Sequence, residues 1–233
     1  MENINRIKKI SIWIFILPVI TLNLCLLISV NSHLLENTIF EVDPIGKASF
    51  TIPYIDGNVS ISRTARYYPT YLIFKPLMIF SSFLLIKYWI ANYRLVGKVN
   101  NENKKNKYFL IFGIGSALFL IIHSIFLGIK FDYDLYKFFR RFIILNFVIF
   151  EIAAQAFLVA CIFNIKEKLE EFINKKILIL KIILVSILII TALVSLPFLV
   201  SSGHTHFKHA LEWNYFIGVV SFYLLSFLFW RKQ

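Results

Sequence analysis

Residues 177–200 read ILILKIILVSILIITALVSLPFLV, twenty-four positions with one charge, Lys181. A helix rises 1.5 Å per residue and a bilayer's hydrocarbon core is about 30 Å thick, so about twenty apolar residues in a row cross it. A surface helix of a soluble domain is apolar on one stripe only, whereas this block is apolar all round. Blocks of the same kind lie at about 10–30, 71–92, 108–128, 142–164 and 210–230. Between the spans lie a long loop at 31–70 and shorter ones at 93–107, 129–141, 165–176 and 201–209. The fold expected is an all-α membrane protein, one integral membrane domain over 1–233, built as a six-transmembrane-helix bundle.

The rest of the composition agrees. Of 233 residues, 58% are hydrophobic, and the mean hydropathy is +0.73; soluble domains are about half apolar. The net charge of +12 would suggest a nucleic-acid partner in a soluble chain. Here the basic residues flank spans, where they meet anionic lipid, so membrane lipids are the expected partner and nucleic acid is not. On the terminal side of the spans stand Arg6, Lys8 and Lys9, then Arg94, Lys98, Lys104, Lys105 and Lys107, then Lys166, Lys168, Lys175 and Lys176, then Arg231 and Lys232. On the other side stand Lys47, Arg63, Arg66, Lys130, Lys137, Arg140, Arg141 and Lys208. Fourteen against eight places both termini in the cytoplasm. Abundant Lys, Asn and Ile point to a bacterial inner membrane. The amino-terminal basic stretch resembles a signal peptide, but its apolar run at 10–30 is too long and no small-residue cleavage site follows, so a retained first helix is expected. Cys25 and Cys161 fall inside spans and form no CxxC pair, which fits small buried hydrophobes.

In the long outer loop, 49–55 (SFTIPYI) and 59–64 (VSISRT) alternate apolar and polar residues around Asp56-Gly57. That pattern predicts a small outer-loop β-hairpin, with Pro53 on an edge strand. Asn58-Val59-Ser60 is a glycosylation sequon. Residues 165–176 predict a charged, solvated helical extension. The chain has no glycine-rich phosphate loop, no GxSxG and no HExxH.

Ionisable groups inside a bilayer cost roughly 2.5–3.5 kcal/mol each on insertion scales, so each needs a reason. Lys75, Lys87 and Lys181 lie near span ends and are expected to snorkel. His123, Glu151, Gln155, His209 and Glu212 lie deeper or in pairs. Glu151 and Gln155 share a face at i, i+4, and His209 and Glu212 share one at i, i+3. Arg140 and Arg141 stand at the outer mouth of the fourth span. The expectation is one outward-facing polar pocket in which His123, Glu151, His209 and Glu212 are candidate acid–base residues and Arg140, Arg141 and Gln155 candidate binding residues. Interhelical hydrogen bonding that only holds the bundle is the competing reading. His204, His206, His209 and Glu212, spaced H-x-H-x-x-H-x-x-E, are also a candidate zinc set, although no cofactor is required.

Short motifs add a family resemblance. Pro53-Tyr54-Ile55, with Ser62-x-Thr64-Ala65 and Pro69, precedes the second span. LLIKYW ends that span's apolar segment at 84–89, and His209-x-x-Glu212-Trp213 opens the sixth. Together with six spans and a long first outer loop, these resemble the Frag1/DRAM/Sfk1 family of six-helix membrane proteins. Residues 56–61 separate the two parts of the first motif, and Ala65 stands where the family has glycine. The resemblance implies a lipid-related role and carries over only His209, Glu212 and the Pro53/Thr64 loop; in that loop Thr64 and the neighbouring Arg66 are further binding candidates.

Three functions follow as expectations. The first is a protein holding a polar lipid headgroup in its outer-facing pocket, where arginine suits a phosphate. The second is an intramembrane hydrolase or transferase acting on lipid, with histidines and carboxylates as general acid and base or as zinc ligands. The third is a non-catalytic scaffold or regulator.

Overall fold

A computed structural model describes residues 2–99, 106–129, 134–201 and 203–231. Lys104, Lys105, Lys130 and Lys232 of the charge count lie outside them. The helices are α1 (Glu2–Val30), α2 (Ile61–Arg66), α3 (Thr70–Val99), α4 (Asn106–Phe126), α5 (Asp134–Asn164), α6 (Lys175–Val200) and α7 (Thr205–Phe229). All but the short α2 contain stretches long and apolar enough to cross a membrane. Helix is the expected solution there, because each backbone N–H and C=O must be bonded within its own segment. The chain is a multi-pass integral membrane protein.

Each long helix packs chiefly on two others, in the order α1, α3, α4, α5, α6, α7 and back to α1, closing a ring across which α5 also touches α7. Aromatic side chains fill its middle. Tyr88 and Trp89 of α3 meet Tyr223 of α7 at ring-centroid distances of 5.0 and 6.4 Å. Two glycines let α4 fit between its neighbours. A Cβ on Gly113 would stand 2.3 Å from the Trp89 ring, and one on Gly115 would stand 2.5 Å from Phe150. Buried hydroxyls such as Ser11, Ser81, Ser82 and Ser124 bond carbonyls of their own helices, so they need no outside partner.

Both termini lie at one end. Lys8 Nζ donates to Trp230 O at 2.9 Å, and Ile173 forms an isolated bridge with Trp230. Residues 165–173 form successive tight turns with i→i+3 bonds rather than the expected helical extension. The loop between α1 and α3 covers the opposite end.

That loop corrects the hairpin expectation. Among the described residues it contains no strand; it has single 3-10 turns at Ser32–Leu35 and Pro44–Gly46, then irregular backbone, then α2. The turn at Asp56-Gly57 does form. The Asp56 carboxylate accepts from Thr51 Oγ1, Ile52 N and Asn58 N, and Gly57 takes a φ of +60°. The flanking backbone pairs with α7 side chains instead of with itself. Asn214 Nδ2 donates to Tyr54 O at 2.7 Å, His209 Nδ1 to Gly57 O at 2.9 Å and Trp213 Nε1 to Val59 O at 2.9 Å. Gly57 sits so close to α7 that a Cβ there would stand 1.8 Å from His206 O. Alternation in the sequence therefore marks a segment lying flat on a helix end.

Candidate functional site

The polar residues singled out in the sequence fall in two layers of the bundle. The deeper one is built on Glu151 of α5, which is 1% exposed. Its Oε1 accepts from Gln155 Nε2 at 3.0 Å and from the Tyr223 hydroxyl of α7; its Oε2 lies 2.6 Å from Ser116 Oγ of α4. Gln155 Nε2 also donates to Val219 O, which fixes the amide's orientation and leaves Gln155 Oε1 buried without a partner. One turn of α7 further on, Ser226 Oγ donates to Phe222 O and takes Lys181 Nζ at 2.8 Å and Tyr88 Oη at 2.9 Å. Five helices thus contribute to adjoining buried polar groups.

Lys181 departs from the snorkelling expectation. It is 1% exposed, with Nζ 4.1 Å from the Phe222 ring centroid and 5.2 Å from that of Phe229. The two rings and the Ser226 hydroxyl offer the ammonium an inward site that the sequence does not advertise. Lys75 bonds Ile125 O beside the Tyr71 ring, and Lys87 is exposed as expected.

The second layer lies toward the loop end. His123 is seven residues along α4 from Ser116, Arg140 eleven along α5 from Glu151, and Glu212 eleven along α7 from Tyr223. At 1.5 Å per residue those offsets are about 10, 16 and 16 Å. The structure therefore brings His123, Arg140 and Glu212 to one end and holds Glu151 and Gln155 apart from them. Arg66, the last residue of α2, joins the outer group. It lies within electrostatic reach of His123, Arg140 and Glu212. Its Nη2 donates to Ser62 Oγ at 3.1 Å, while its Nε is buried without a partner. Arg140 rests over the Tyr136 ring at 5.8 Å, and Arg141 beside it is exposed.

Glu212 accepts from the backbone N–H groups of Ile61 and Ser62, at the start of α2. A carboxylate suits the unsatisfied donors of a helix's first turn. With Ser60 as N-cap, accepting from Arg63 N, it holds α2 so that Arg66 reaches the cluster. Thr64 is buried, its hydroxyl bonded to Ile61 O. His209 is occupied by Gly57 O. The remaining members of the candidate zinc set are dispersed. His204 caps α7 in a left-handed conformation at φ 54°, His206 is exposed, and among the described residues no three His, Cys, Asp or Glu side chains are grouped to hold a metal ion.

Sequence reasoning missed Tyr88, Ser116, Tyr223 and Ser226, which look like ordinary span residues. The available signal was the pair Glu151 and Gln155, which must find donors on facing helices once buried. It also missed how central Arg66 is, because a loop arginine reads as solvated.

No protein-family model, no curated protein and no solved structure matches the chain.

Proposed function

We propose that this membrane protein binds a lipid with an anionic headgroup at its loop end, with Arg66 and Arg140 as ligands of the phosphate and His123 beside them. The observation that carries this reading is the Arg66 side chain, whose Nε is buried without a partner. It lies within electrostatic reach of a second guanidinium and a histidine, and among the described residues the Glu212 carboxylate acts on it. Two guanidiniums held near each other repel unless an anion joins them, and guanidinium is suited to bidentate phosphate binding. Glu212 and His209 serve as supports, since they anchor α2 and the loop that present Arg66.

The positive-inside bias assigns this site to the non-cytoplasmic leaflet, and the composition favours a bacterial inner membrane. Kinship with the Frag1/DRAM/Sfk1 family is part of the same proposal. The two motif segments touch: the Tyr54 and Trp213 rings stand 5.1 Å apart, edge to face. Their shared task in this chain would be docking the loop.

The test is thermal unfolding of the full chain in detergent with added lipid. Phosphatidylglycerol should raise the midpoint more than phosphatidylcholine does. Arg66→Gln with Arg140→Gln should lower phosphatidylglycerol affinity at this site by about ten- to hundredfold, one charge-assisted hydrogen bond contributing about 1.5–3 kcal/mol. An unchanged affinity in the double variant would contradict the assignment.

A further inference from the structure

A groove at the opposite end, between α1 and α3, has no part in the site above. Its larger section has a volume of about 470 Å³ and is lined by Arg6, Lys9 and Lys87, with Ile10 and Leu84 among its walls. An adjoining section of about 150 Å³ shares Arg6 and Lys87 and adds Arg94. All four cations are exposed. Among the described residues no carboxylate pairs with any of them: the ion pairs join Lys47 to Glu36 and Glu41, and Lys175 to Glu170. Four like charges around one groove repel, and they are best held together by an anion from outside the chain.

The depth identifies the anion. Lys87 is seventeen residues into α3 from Thr70, about 26 Å along the axis, near the far edge of a hydrocarbon core about 30 Å thick. Arg94 lies about two turns beyond, at headgroup level. On α1, Arg6 and Lys9 stand before the apolar run, and Ile10 opens it. The groove thus presents charge at the height of lipid phosphates and apolar wall at the height of acyl chains. Basic pockets between helices at such a height take anionic headgroups.

We infer that the α1–α3 groove is a second lipid site, which seats the phosphate of an anionic glycerophospholipid between Arg6, Lys9, Lys87 and Arg94, with an acyl chain along Ile10 and Leu84. It does not depend on the loop-end site.

The test is native mass spectrometry of the delipidated full chain with dioleoyl phosphatidylglycerol, dioleoyl phosphatidylcholine or inorganic phosphate. Phosphatidylglycerol should be retained in preference to phosphatidylcholine. Lys87→Gln with Arg94→Gln should weaken that retention roughly thirtyfold, by loss of two interfacial charges, while Arg66→Gln with Arg140→Gln leaves this adduct in place. Equal retention by the wild type and the Lys87/Arg94 variant would overturn the inference. So would inorganic phosphate displacing the lipid at equal concentration, which would mark a free-anion site. Should the double variant not fold, a photoreactive benzoylphenylalanine in place of Leu84 provides the second measurement. It should crosslink phosphatidylglycerol in preference to phosphatidylcholine in vesicles containing both, and equal labelling of the two lipids would also overturn the inference.

Discussion

At the scale of single residues, Glu151 and Glu212 show why two carboxylates that look alike in the sequence have different tasks. Glu151 is surrounded by donors from its own helix and two others, so its first role is to tie α4, α5 and α7 together. Glu151→Leu should leave the Tyr223 hydroxyl and the Gln155 amide buried without that acceptor. The expected cost is about 1–3 kcal/mol, toward the lower end in a bilayer, where the unfolded state also finds polar partners. Thermal or denaturant unfolding in detergent measures it, and unchanged stability would show that the network is not load-sharing. Glu212→Gln should also lower stability, because it weakens the anchor of α2; lipid affinity at the loop end should fall with it, since Arg66 is held by that anchor. Asp56 supplies a pH signature. Bonds from Asn58, then Thr51, outweigh slight desolvation, and Ile52 adds to them, so its carboxyl is held below the usual range. A carboxyl with a depressed folded-state value contributes stability above its unfolded value, and that contribution is lost as pH falls through the folded one. Loop docking, followed by limited proteolysis, should therefore weaken on acidification, and Asp56→Asn should flatten that dependence.

Among the elements, the six spans were legible because burial in lipid demands an apolar block whatever its partners. Observed bounds differ from the expected ones chiefly where charged turns continue a helix into water, as at Glu2 of α1 and Val99 of α3. The loop was not legible. Residues 49–64 alternate as strands do, but whether a backbone pairs with itself or with a neighbour depends on what lies across from it, and the indole and imidazole of α7 lie there. Lys181 was misjudged for a related reason, since its aromatic receivers are forty or more residues away in the chain. Two glycines test these contacts. Gly57→Ala places a methyl against His206 O at a left-handed φ and should undock the loop, seen as faster proteolysis at 50–60 with the bundle still folded. Gly113→Ala forces α4 from Trp89 and should cost about 1–3 kcal/mol as overpacking does. A Trp89→Leu replacement should recover part of that cost.

For the whole molecule, the ring of six spans fixes both termini at one end, and the proposal from the charge bias is that this end is cytoplasmic. Reporter fusions at either terminus should be active only as cytoplasmic reporters, and a carboxyl terminus on the opposite face would contradict this topology. The same ring separates three polar regions along the membrane normal: a loop-end cation cluster, a buried Glu151–Lys181 layer and a basic groove near the termini. The candidate pocket was legible in its residue types but not in its division, because helix-face arguments give rotation about the axis and neglect how far apart two residues stand along it. Among the described residues, the loop-end cluster alone has a buried guanidinium nitrogen without a partner, so occupancy there is the decisive quantity. A cryo-electron microscopy map of the full chain in nanodiscs containing phosphatidylglycerol would report it directly. The expected result is headgroup density within hydrogen-bonding distance of the Arg66 and Arg140 guanidiniums. Guanidiniums turned onto protein acceptors, with no headgroup density between them, would contradict the proposed site.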